Sequence, residues 1–516
     1  MTDAQPWPDA AVRPDVEAPS SALPRARVSL SPGAYVVLAQ DDLVEVAEEL
    51  AGYRRGQGYS TEVHTVSELV GVGGAARTLV LALRARLGPL AAKAPVHLAL
   101  LGDAPGPGEA TAGRIPALPC DNLYGGCWTD NAYADIDGDG LPDLALGRIP
   151  ARSAAQARAY LARLKTHEGR YEPGPWNRRL SLYTGKGDFG AQTDAAIELG
   201  MMEGLKRVDH AFDIVGAYNN ATSPYYYAPF SDKVVDLFNQ GNLFVIYVGH
   251  GMSTWTSGLT KTELAAIHCA HRAPGVFLIA CYAGDYVGPD DSVAEALLDK
   301  DDGAIVAFAA SDVSHPYGNG VLLYELTRVL LGWRPRTYGL GLLKAKRELM
   351  EHTDQFRELL DAVALMEVPA AEQPTLRAQH LDLYNLLGDP AARIGYPQTA
   401  IAFEPVGGAF KDGRLVVSGV APGIDQGQAT VTLELERDVM LYPLEPVDPS
   451  SPDEATIQAN WSKAVDKVVA EAVVPVTGGS FVAQLGWTPP LPGRAFYVKV
   501  YAQSASADSF GVVRVQ

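Results

Sequence analysis

The stretches LFVIYVGHG at residues 243–251 and GVFLIACYAGDY at residues 275–286 decide the fold. Neither apolar run alternates with polar residues, which predicts strands buried on both faces of a parallel sheet. The helix-length segment between them, LTKTELAAIHCAHRAP, predicts a βαβ crossover. His250 and Cys281 come directly after the two predicted strands. Because the chemistry of open α/β sheets lies outside the carboxyl ends of the strands, we expect both side chains at one edge of the sheet.

A cysteine and a histidine at that edge form a candidate catalytic pair. The thiolate is the nucleophilic form of cysteine, and an adjacent imidazole can take the thiol proton. Gly249 and Gly251 flank the histidine, so a substrate chain can lie close to backbone N–H groups that would meet a developing oxyanion. A lone cysteine at a strand end is usually a small buried hydrophobe. Two such strand ends in one crossover favour catalysis instead.

Length and composition restrict the remaining possibilities. A chain of 516 residues is too long for one compact core, so two or three domains are expected. The net charge of −19 argues against a nucleic-acid partner, and four cysteines are too few for a disulfide scaffold. No apolar run reaches membrane-spanning length. The N-terminus lacks a basic start and an apolar core, so we expect a cytoplasmic protein, or a secreted one whose signal is missing from this sequence.

The acidic loop DIDGDGLPD predicts a structural calcium site. Positions 1, 3, 5, 7 and 9 of a calcium-loop pattern offer oxygen ligands, which here are Asp135, Asp137, Asp139, the carbonyl of Leu141, and Asp143. The bidentate Glu usual at the end of this pattern is absent, because Leu146 stands there. The alternative interpretation is a solvated acidic turn before a strand.

Four pieces of the sequence resemble the gingipain-type cysteine peptidases, peptidase family C25 of the caspase-like clan. They are YVGHG with the following Trp255, IACYAGDY, the stretch DGDGLPDLALGRIPARSAAQARAYLARLKTHE, and LYNLLGDPAARI. The pieces follow the order of the family and cover most of residues 135–394. The resemblance implies a cysteine endopeptidase with His250 and Cys281 as its dyad. It also implies an oxyanion hole formed by the backbone N–H groups of Gly251 and Cys281.

The resemblance implies further site residues around the dyad. Asp188, in the loop TGKGDFGAQTD, replaces the family acid that orients the histidine. Asp312 could pair with a basic side chain of the substrate, or it could cap its own loop. Trp255 and Tyr282 are expected to line the substrate cleft, although Trp255 could equally belong to a core layer.

We expect an α/β fold: a caspase-like catalytic region of two side-by-side α/β subdomains with mostly parallel sheets, followed by an immunoglobulin-like antiparallel β-sandwich. The predicted boundaries are a flexible arm or inhibitory pro-segment at 1–30, the N-terminal subdomain at 31–175, the catalytic subdomain at 176–396, and the sandwich at 397–516. The segment DEATIQANWSKAVDKVVAEA is predicted to be a helical insertion in the sandwich.

Two cysteine-containing motifs are predicted to have no special chemistry. Cys120 and Cys127 could form a local disulfide in an exported protein or stay reduced inside a cell, and of the two we expect no bond. They also lack the partners of a metal site. The cluster His268, Cys269 and His271 does not share one helix face, so a basic last turn explains it better than a metal site.

The predicted function is peptide-bond hydrolysis through an acyl-enzyme, with a protein or peptide as substrate. Cleavage after basic residues is expected if Asp312 pairs with the substrate and does not cap its own loop. The alternatives are a transpeptidase on the same fold, in which an amine replaces water, and a binding module without activity.

Overall fold

The computed structural model describes residues 32–187, 191–269, 271–404, 410–411, 413–448, 451–486 and 494–515. The predicted arm at 1–30 lies outside these residues. The strands are β1 Ala34–Ala39, β2 Ser60–Thr65, β3 Val96–Leu101, β4 Leu118–Asn122, β5 Gly125–Thr129, β6 Ala145–Ile149, β7 Arg179–Thr184, β8 Asp213–Tyr218, β9 Phe244–Val248, β10 Gly251–Met252, β11 Trp255–Thr256, β12 Gly275–Ile279, β13 Val306–Ala310, β14 Tyr384–Leu387, β15 Thr399–Ala400, β16 Ala402–Phe403, β17 Phe410–Lys411, β18 Arg414–Val420, β19 Gln426–Leu435, β20 Val468–Thr477, β21 Ser480–Gly486, β22 Phe496–Gln503 and β23 Asp508–Val515.

The helices are α1 Val44–Gly56, α2 Val66–Val70, α3 Ala76–Ala91, α4 Ala154–Gly169, α5 Ala191–Lys206, α6 Phe230–Asn239, α7 Lys261–Ala266, α8 Val293–Asp299, α9 Pro316–Thr327, α10 Tyr338–Glu351, α11 Gln355–Ala364, α12 Gln373–Leu383 and α13 Glu454–Val465. A π-helical turn, Arg328–Trp333, follows α9. Among the described residues, none of these helices combines the length and the apolarity needed to span a membrane.

Within the described residues, ten strands form one continuous sheet in the order β2-β1-β3-β6-β14-β13-β12-β9-β7-β8. All neighbours are parallel except β14, which runs antiparallel to β13. The α/β fold class is therefore confirmed. The two predicted subdomains share this sheet, whereas the sequence suggested a separate sheet for the first half. The predicted domain boundaries remain predictions.

The two halves of the sheet meet where the motifs GR and GDP lie side by side. Strand β14 pairs with β6 at Leu387 and Arg148. A Cβ atom added to Gly147 would lie 2.5 Å from the carbonyl oxygen of Gly388, so only glycine permits this approach. The Arg148 side chain is fully buried, and its Nη2 atom lies 2.7 Å from Oδ1 of Asp130. These motif residues therefore hold the two halves of the sheet together.

A second buried ion network anchors the same junction to two helices. Asp389 of GDP accepts from Arg54 of α1 at 2.8 Å, and Arg54 also pairs with Glu168 of α4 at 2.8 Å. All three side chains are at most 1% exposed. Since a buried charge is costly without its partner, loss of any one of them should destabilise the chain strongly.

The crossover between the two decisive strands differs from the prediction. Its helix, α7, covers only Lys261–Ala266, because a two-stranded hairpin of β10 and β11 occupies the first part of the connection. Thr260 caps α7 in a capping box with Glu263. The chain after Ala266 leaves the helix, so the predicted basic last turn at His268 and His271 is wrong.

The C-terminal region forms a second sheet of nine strands among the described residues, and its neighbours are mainly antiparallel. Leu415, Val417, Val431 and Val498 are among the fully buried residues of its own core. The predicted helical insertion is helix only over Glu454–Val465, and its last residues already belong to β20. The alternation VVAEAVVPV explains this, because period-two patterning favours a strand.

The C-terminal region packs against the edge of the large sheet near β8. Phe510 contacts Phe212 with ring centroids 5.4 Å apart. Trp461 of α13 donates its indole N–H to the carbonyl oxygen of Gly216 in β8 at 2.8 Å. The half-buried Arg437 side chain donates to four carbonyl oxygens in the last turn of α5 and just after it, those of Leu205, Val208, Asp209 and Phe212. The C-terminal region therefore covers the β8 edge of the large sheet.

Candidate active site

The two decisive strands are direct neighbours in the sheet. Strand β9 pairs with β12 in parallel, with Val248 opposite Ile279. His250 and Cys281 each come two residues later, so they leave the same edge of the sheet at equivalent positions. The N–H of Gly249 donates to the carbonyl oxygen of Ile279 at 3.3 Å and extends this alignment past the strand ends.

The glycines around His250 allow the two turns to approach each other. A Cβ atom added to Gly251 would lie 2.8 Å from the carbonyl oxygen of Cys281 and 3.0 Å from Cβ of Ala280. Gly249 has a φ of +152°, in the region that favours glycine, and a Cβ there would lie 2.6 Å from the Tyr247 hydroxyl. A larger residue at either position would clash with these atoms and would move the His250 turn away from Cys281.

The imidazole of His250 is oriented by a backbone carbonyl. Its Nε2 atom lies 2.5 Å from the carbonyl oxygen of Gly187. A carbonyl oxygen only accepts, so Nε2 donates its hydrogen to Gly187. The sequence predicted Asp188 for the orienting role, but Asp188 lies outside the described residues. Gly187 was missed because no sequence signal reports which carbonyl points at a side chain.

Tyr247 holds the backbone of the His250 turn and was also missed. Its hydroxyl donates to the carbonyl oxygen of His250 at 2.6 Å and accepts the N–H of Ser257 at 3.2 Å. The phenol thereby ties the turn to the strand before it and to the segment after the hairpin. Burial raises the pKa of Tyr247, so the phenol keeps its proton and stays a donor.

The sulfur of Cys281 is half-buried and faces the segment after β13. The N–H of Ser314 donates to the sulfur at 3.3 Å, and the Ser314 hydroxyl oxygen lies 3.6 Å from it. Among the described residues, the N–H of Cys281 itself has no backbone acceptor. A donor beside the sulfur and an N–H without an acceptor are what a thiolate and an oxyanion require.

The residue after the nucleophile candidate has a rare backbone conformation. Tyr282 has a φ of 54°, which costs energy for a side chain of this size and which occurs most often at functional sites. Its N–H donates to the carbonyl oxygen of Asp312 at 3.0 Å. The turn at Cys281 is thus fixed against the next strand end.

Two carboxylates lie beside this turn. Asp312 accepts the N–H of Val313 at 2.6 Å, which is the loop-capping contact. Asp285 is half-buried, and its burial together with the nearby charge of Asp312 raises its pKa. Asp285 was not predicted, although it lies in the same motif as Cys281. The two carboxylates are close enough for the charge of Asp312 to act on Asp285.

Two hairpins flank the sheet edge and expose apolar side chains. Trp255 and Met252 on the β10–β11 hairpin are 41% and 48% exposed. The prediction that Trp255 could fill a core layer is therefore wrong. On the other side of Cys281, Leu123 and Tyr124 at the tip of the β4–β5 hairpin are 54% and 57% exposed.

The β4–β5 hairpin is closed by a disulfide, which corrects the expectation of unbonded cysteines. Cys120 and Cys127 are register partners in the hairpin, with Cα atoms 4.8 Å apart and their sulfurs bonded. Sequence spacing alone could not reveal that a two-residue turn would bring them face to face. The hairpin also contacts the segment after β13, because Ser311 donates its hydroxyl to the carbonyl oxygen of Trp128 at 2.6 Å.

The predicted calcium loop brings three of its four carboxylates together. Ligand atoms of Asp135, Asp137 and Asp143 lie within 4.8 Å of one another, and among the described residues Asp139 is not part of that group. Arg84 pairs with Asp135 at 2.9 Å and Arg347 with Asp143 at 3.3 Å. Hard cations prefer such an oxygen cluster, but the two guanidinium groups already neutralise part of its charge.

The HCAH cluster is held by separate ion pairs. His268 pairs with Asp302 at 2.6 Å, and His271 pairs with Glu172 at 2.5 Å. Cys269 is 3% exposed, and burial raises the pKa of its thiol to about 12. These side chains point to different partners, so they do not gather around one ion.

A cysteine and a histidine that follow adjacent parallel strands, with an N–H donating to the sulfur, are an arrangement typical of cysteine-dependent hydrolases. The model of Peptidase family C25 matches residues 29–395, and the chain belongs to this family of cysteine peptidases. The described structure is similar to the Arg-specific cysteine proteinase gingipain R, with a TM-score of 0.53 and 16% identity, covering 94% of this chain and 98% of that one.

Two further solved structures agree on the fold. The complex of the pro- and mature domains of RgpB from Porphyromonas gingivalis matches with a TM-score of 0.52 and 16% identity, over 94% of this chain and 100% of that one. A structure described as a protease matches with a TM-score of 0.55 and 14% identity, over 94% and 98% of the two chains. No curated protein matches the chain.

Proposed function

We propose that this cysteine peptidase is an endopeptidase that uses Cys281 as nucleophile and His250 as its acid–base partner. The supporting observation is the register of β9 and β12. Both residues follow these paired strands at equivalent positions, at the same edge of the sheet. The sulfur attacks the scissile carbonyl, and His250 gives the proton to the leaving amine. The N–H groups of Cys281 and Gly251 stabilise the oxyanion, and water then hydrolyses the acyl-enzyme.

Labelling with a thiol-reactive peptide analogue tests the assignment. The label should attach to Cys281 in the wild type, disappear in Cys281→Ala, and persist in Cys269→Ala, which is the matched control because Cys269 is buried and keeps its proton. Peptide hydrolysis should follow the same pattern. Labelling that survives Cys281→Ala, or a Cys281→Ala variant that still cleaves peptides, would refute the proposed nucleophile.

A preference for a basic side chain is supported by the two carboxylates of Asp312 and Asp285 beside Cys281. A guanidinium or ammonium group between them would relieve their mutual repulsion. Tyr282 and Trp255 line the groove beside this acidic site. Peptide-library profiling should show cleavage after Arg or Lys, and the preference should weaken in Asp312→Asn. An unchanged profile in both Asp312→Asn and Asp285→Asn would contradict the specificity proposal.

The two alternatives make different predictions in the same assays. A transpeptidase would transfer the acyl group to an added amine in preference to water, which product analysis by mass spectrometry detects. A binding module without activity would give neither product nor selective labelling at Cys281.

We also propose that the loop of Asp135, Asp137, Asp139 and Asp143, with the Leu141 carbonyl, binds Ca²⁺ in a structural role. The cluster of three carboxylates supports it, and the ion would have to displace Arg84 or Arg347. Added CaCl₂, compared with MgCl₂, should raise the melting temperature of the wild type and not that of Asp137→Asn. Equal melting temperatures with and without calcium would exclude the site.

The Cys120–Cys127 disulfide favours the secreted alternative for localisation, because such bonds persist in oxidising compartments. Fractionation of the source cells, with thiol trapping of the two cysteines, tests this.

A further inference from the structure

A chain of hydrogen bonds leads from the protein interior to the sulfur of Cys281. The buried phenol of Tyr384 in β14 donates to Oδ1 of Asn319 at 2.7 Å. Nδ2 of Asn319 donates to the hydroxyl oxygen of Ser314 at 2.8 Å. The Ser314 hydroxyl lies 3.6 Å from Cys281 Sγ, and the Ser314 N–H donates to the same sulfur at 3.3 Å. The segment after β13, the first turn of α9 and the start of β14 thus each contribute one side chain to this chain of hydrogen bonds.

The direction of these bonds is fixed by the chemistry of the groups. A phenol has one hydrogen, and Tyr384 gives it to an amide oxygen. That contact fixes the orientation of the Asn319 amide and turns its N–H₂ group toward Ser314. Ser314 therefore accepts from Asn319 and keeps its own hydrogen for another acceptor. The hydroxyl hydrogen of Ser314 is thus the one hydrogen of these three side chains that can point toward the sulfur.

We propose that Ser314 is a catalytic residue that stabilises the Cys281 thiolate with two donors, its hydroxyl and its N–H, and that Asn319 and Tyr384 are positioning residues for that hydroxyl. The inference rests on the proposed function of Cys281 as nucleophile. A hydrogen bond to a charged acceptor is stronger than one to a neutral acceptor, so the two donors favour the thiolate over the thiol. They act against the carbonyl oxygen of Ser314, which lies 3.7 Å from the sulfur and accepts from the thiol. The arrangement supplies negative-charge stabilisation on the side of the sulfur where β13 ends, opposite the strand that carries His250.

The Ser314 hydroxyl has a second acceptor within reach. It lies close enough to the Tyr384 oxygen to oppose the burial that raises the pKa of this phenol. The hydrogen goes to the acceptor with the greater charge, which is the sulfur once the thiol has lost its proton. The Ser314 hydroxyl can therefore turn toward the sulfur when the thiolate forms.

The other titratable groups around Cys281 do not replace this role. Tyr247 of β9, Tyr384 of β14 and Tyr282 next to the cysteine are phenols whose pKa is raised, first by burial and further by the charge of Cys281. They keep their protons at neutral pH. His250 follows β9, and the carbonyl oxygen of Asp312, which follows β13, accepts the N–H of Tyr282.

The pH dependence of Cys281 alkylation tests the proposal. The full chain is treated with iodoacetamide across pH 4–10, and the rate of labelling at Cys281 is followed by peptide mass spectrometry. Loss of one hydrogen bond to the thiolate should move the midpoint of the Ser314→Ala profile upward by about one pH unit. Tyr384→Phe and Asn319→Ala should move it in the same direction by less, because the hydroxyl remains but loses its orientation. Ser314→Thr, which keeps the hydroxyl, should restore the wild-type midpoint.

The matched control is Tyr133→Phe. This variant also loses a buried phenol that donates to one carbonyl oxygen, that of Pro116 at 2.7 Å, but it has no contact with the chain of bonds to Cys281. Its midpoint should equal that of the wild type. If Ser314→Ala does not fold, as judged by its thermal melt, the partly exposed Asn319 position carries the test.

Unchanged midpoints in all the folded variants, or a shift of equal size in Tyr133→Phe, would overturn the proposal. Failure of the proposed function is distinguishable, because it would appear as absent peptide hydrolysis by the wild type while the shifts in alkylation persist.

Discussion

The substitution Gly251→Ala tests whether the close approach of the two turns is needed for catalysis. The added Cβ would lie 2.8 Å from the Cys281 carbonyl oxygen and 3.0 Å from Ala280 Cβ. Ordinary contacts are about 3.5 Å, so the turns must separate by roughly half an ångström or more. A displacement of about 1 Å at a reacting group costs about 100-fold in rate, so we expect kcat/KM to fall about 10- to 100-fold.

This loss corresponds to about 1.4–2.7 kcal/mol of transition-state stabilisation. The assay compares kcat/KM for a peptide identified by library profiling, together with thermal melts of both proteins. The control is Gly486→Ala in strand β21, where an added Cβ meets no atom within 4 Å and activity should not change. A folded Gly251→Ala variant with kcat/KM within twofold of the wild type would refute the reasoning.

Three further predictions concern stability and the His250 turn. Replacing both Cys120 and Cys127 by Ser should lower the free energy of unfolding by about 2.5 kcal/mol, measured by denaturant titration, because the closed loop is short. Burial raises the pKa of Glu295 from 4.5 to about 7. Between these pH values the folded chain therefore keeps a proton that the unfolded chain has released. The free energy of unfolding should fall by about 3 kcal/mol as the pH rises through this range. Glu295→Gln should remove this slope in melts at pH 5 and pH 8, and an unchanged slope would contradict the assignment. Tyr247→Phe removes the hydrogen bonds to the His250 carbonyl oxygen and the Ser257 N–H. We expect kcat/KM to fall about tenfold while Cys281 is still labelled. Full activity of this variant would show that the phenol is dispensable.

The positions of His250 and Cys281 could be predicted because each follows an uninterrupted apolar run. Such a run is a local signal, and the rule that parallel strands present their carboxyl ends at one edge supplied the rest. The motifs GR at 147–148 and GDP at 388–390 were also recognised in the sequence, but their observed contacts stabilise the fold. Gly147 and Gly388 lie where two strands from distant parts of the chain come close together. A Cβ atom added to Gly147 would lie 2.5 Å from the carbonyl oxygen of Gly388. The sequence of either segment alone cannot reveal this contact.

The environment of the sulfur could not be predicted in the same way. Ser314, Asn319 and Tyr384 come from two segments about 65 residues apart, and nothing in the short-range pattern of either segment marks its residues as partners of Cys281. The disulfide between Cys120 and Cys127 was not predicted for a related reason. Cys120 and Cys127 became partners only when their segment formed a hairpin in the register that sets them opposite each other.

The sequence by itself determined the α/β class, the two strand ends that are followed by a histidine and a cysteine, and the family, because periodicity and motif order are properties of the linear chain. The tertiary structure alone decided that the two halves share one sheet and that Gly187 and Tyr247 hold the histidine turn. It also decided that Ser314 donates to the sulfur. Hydrogen bonds between distant segments depend on ångström-scale distances, and only the packed chain fixes those distances.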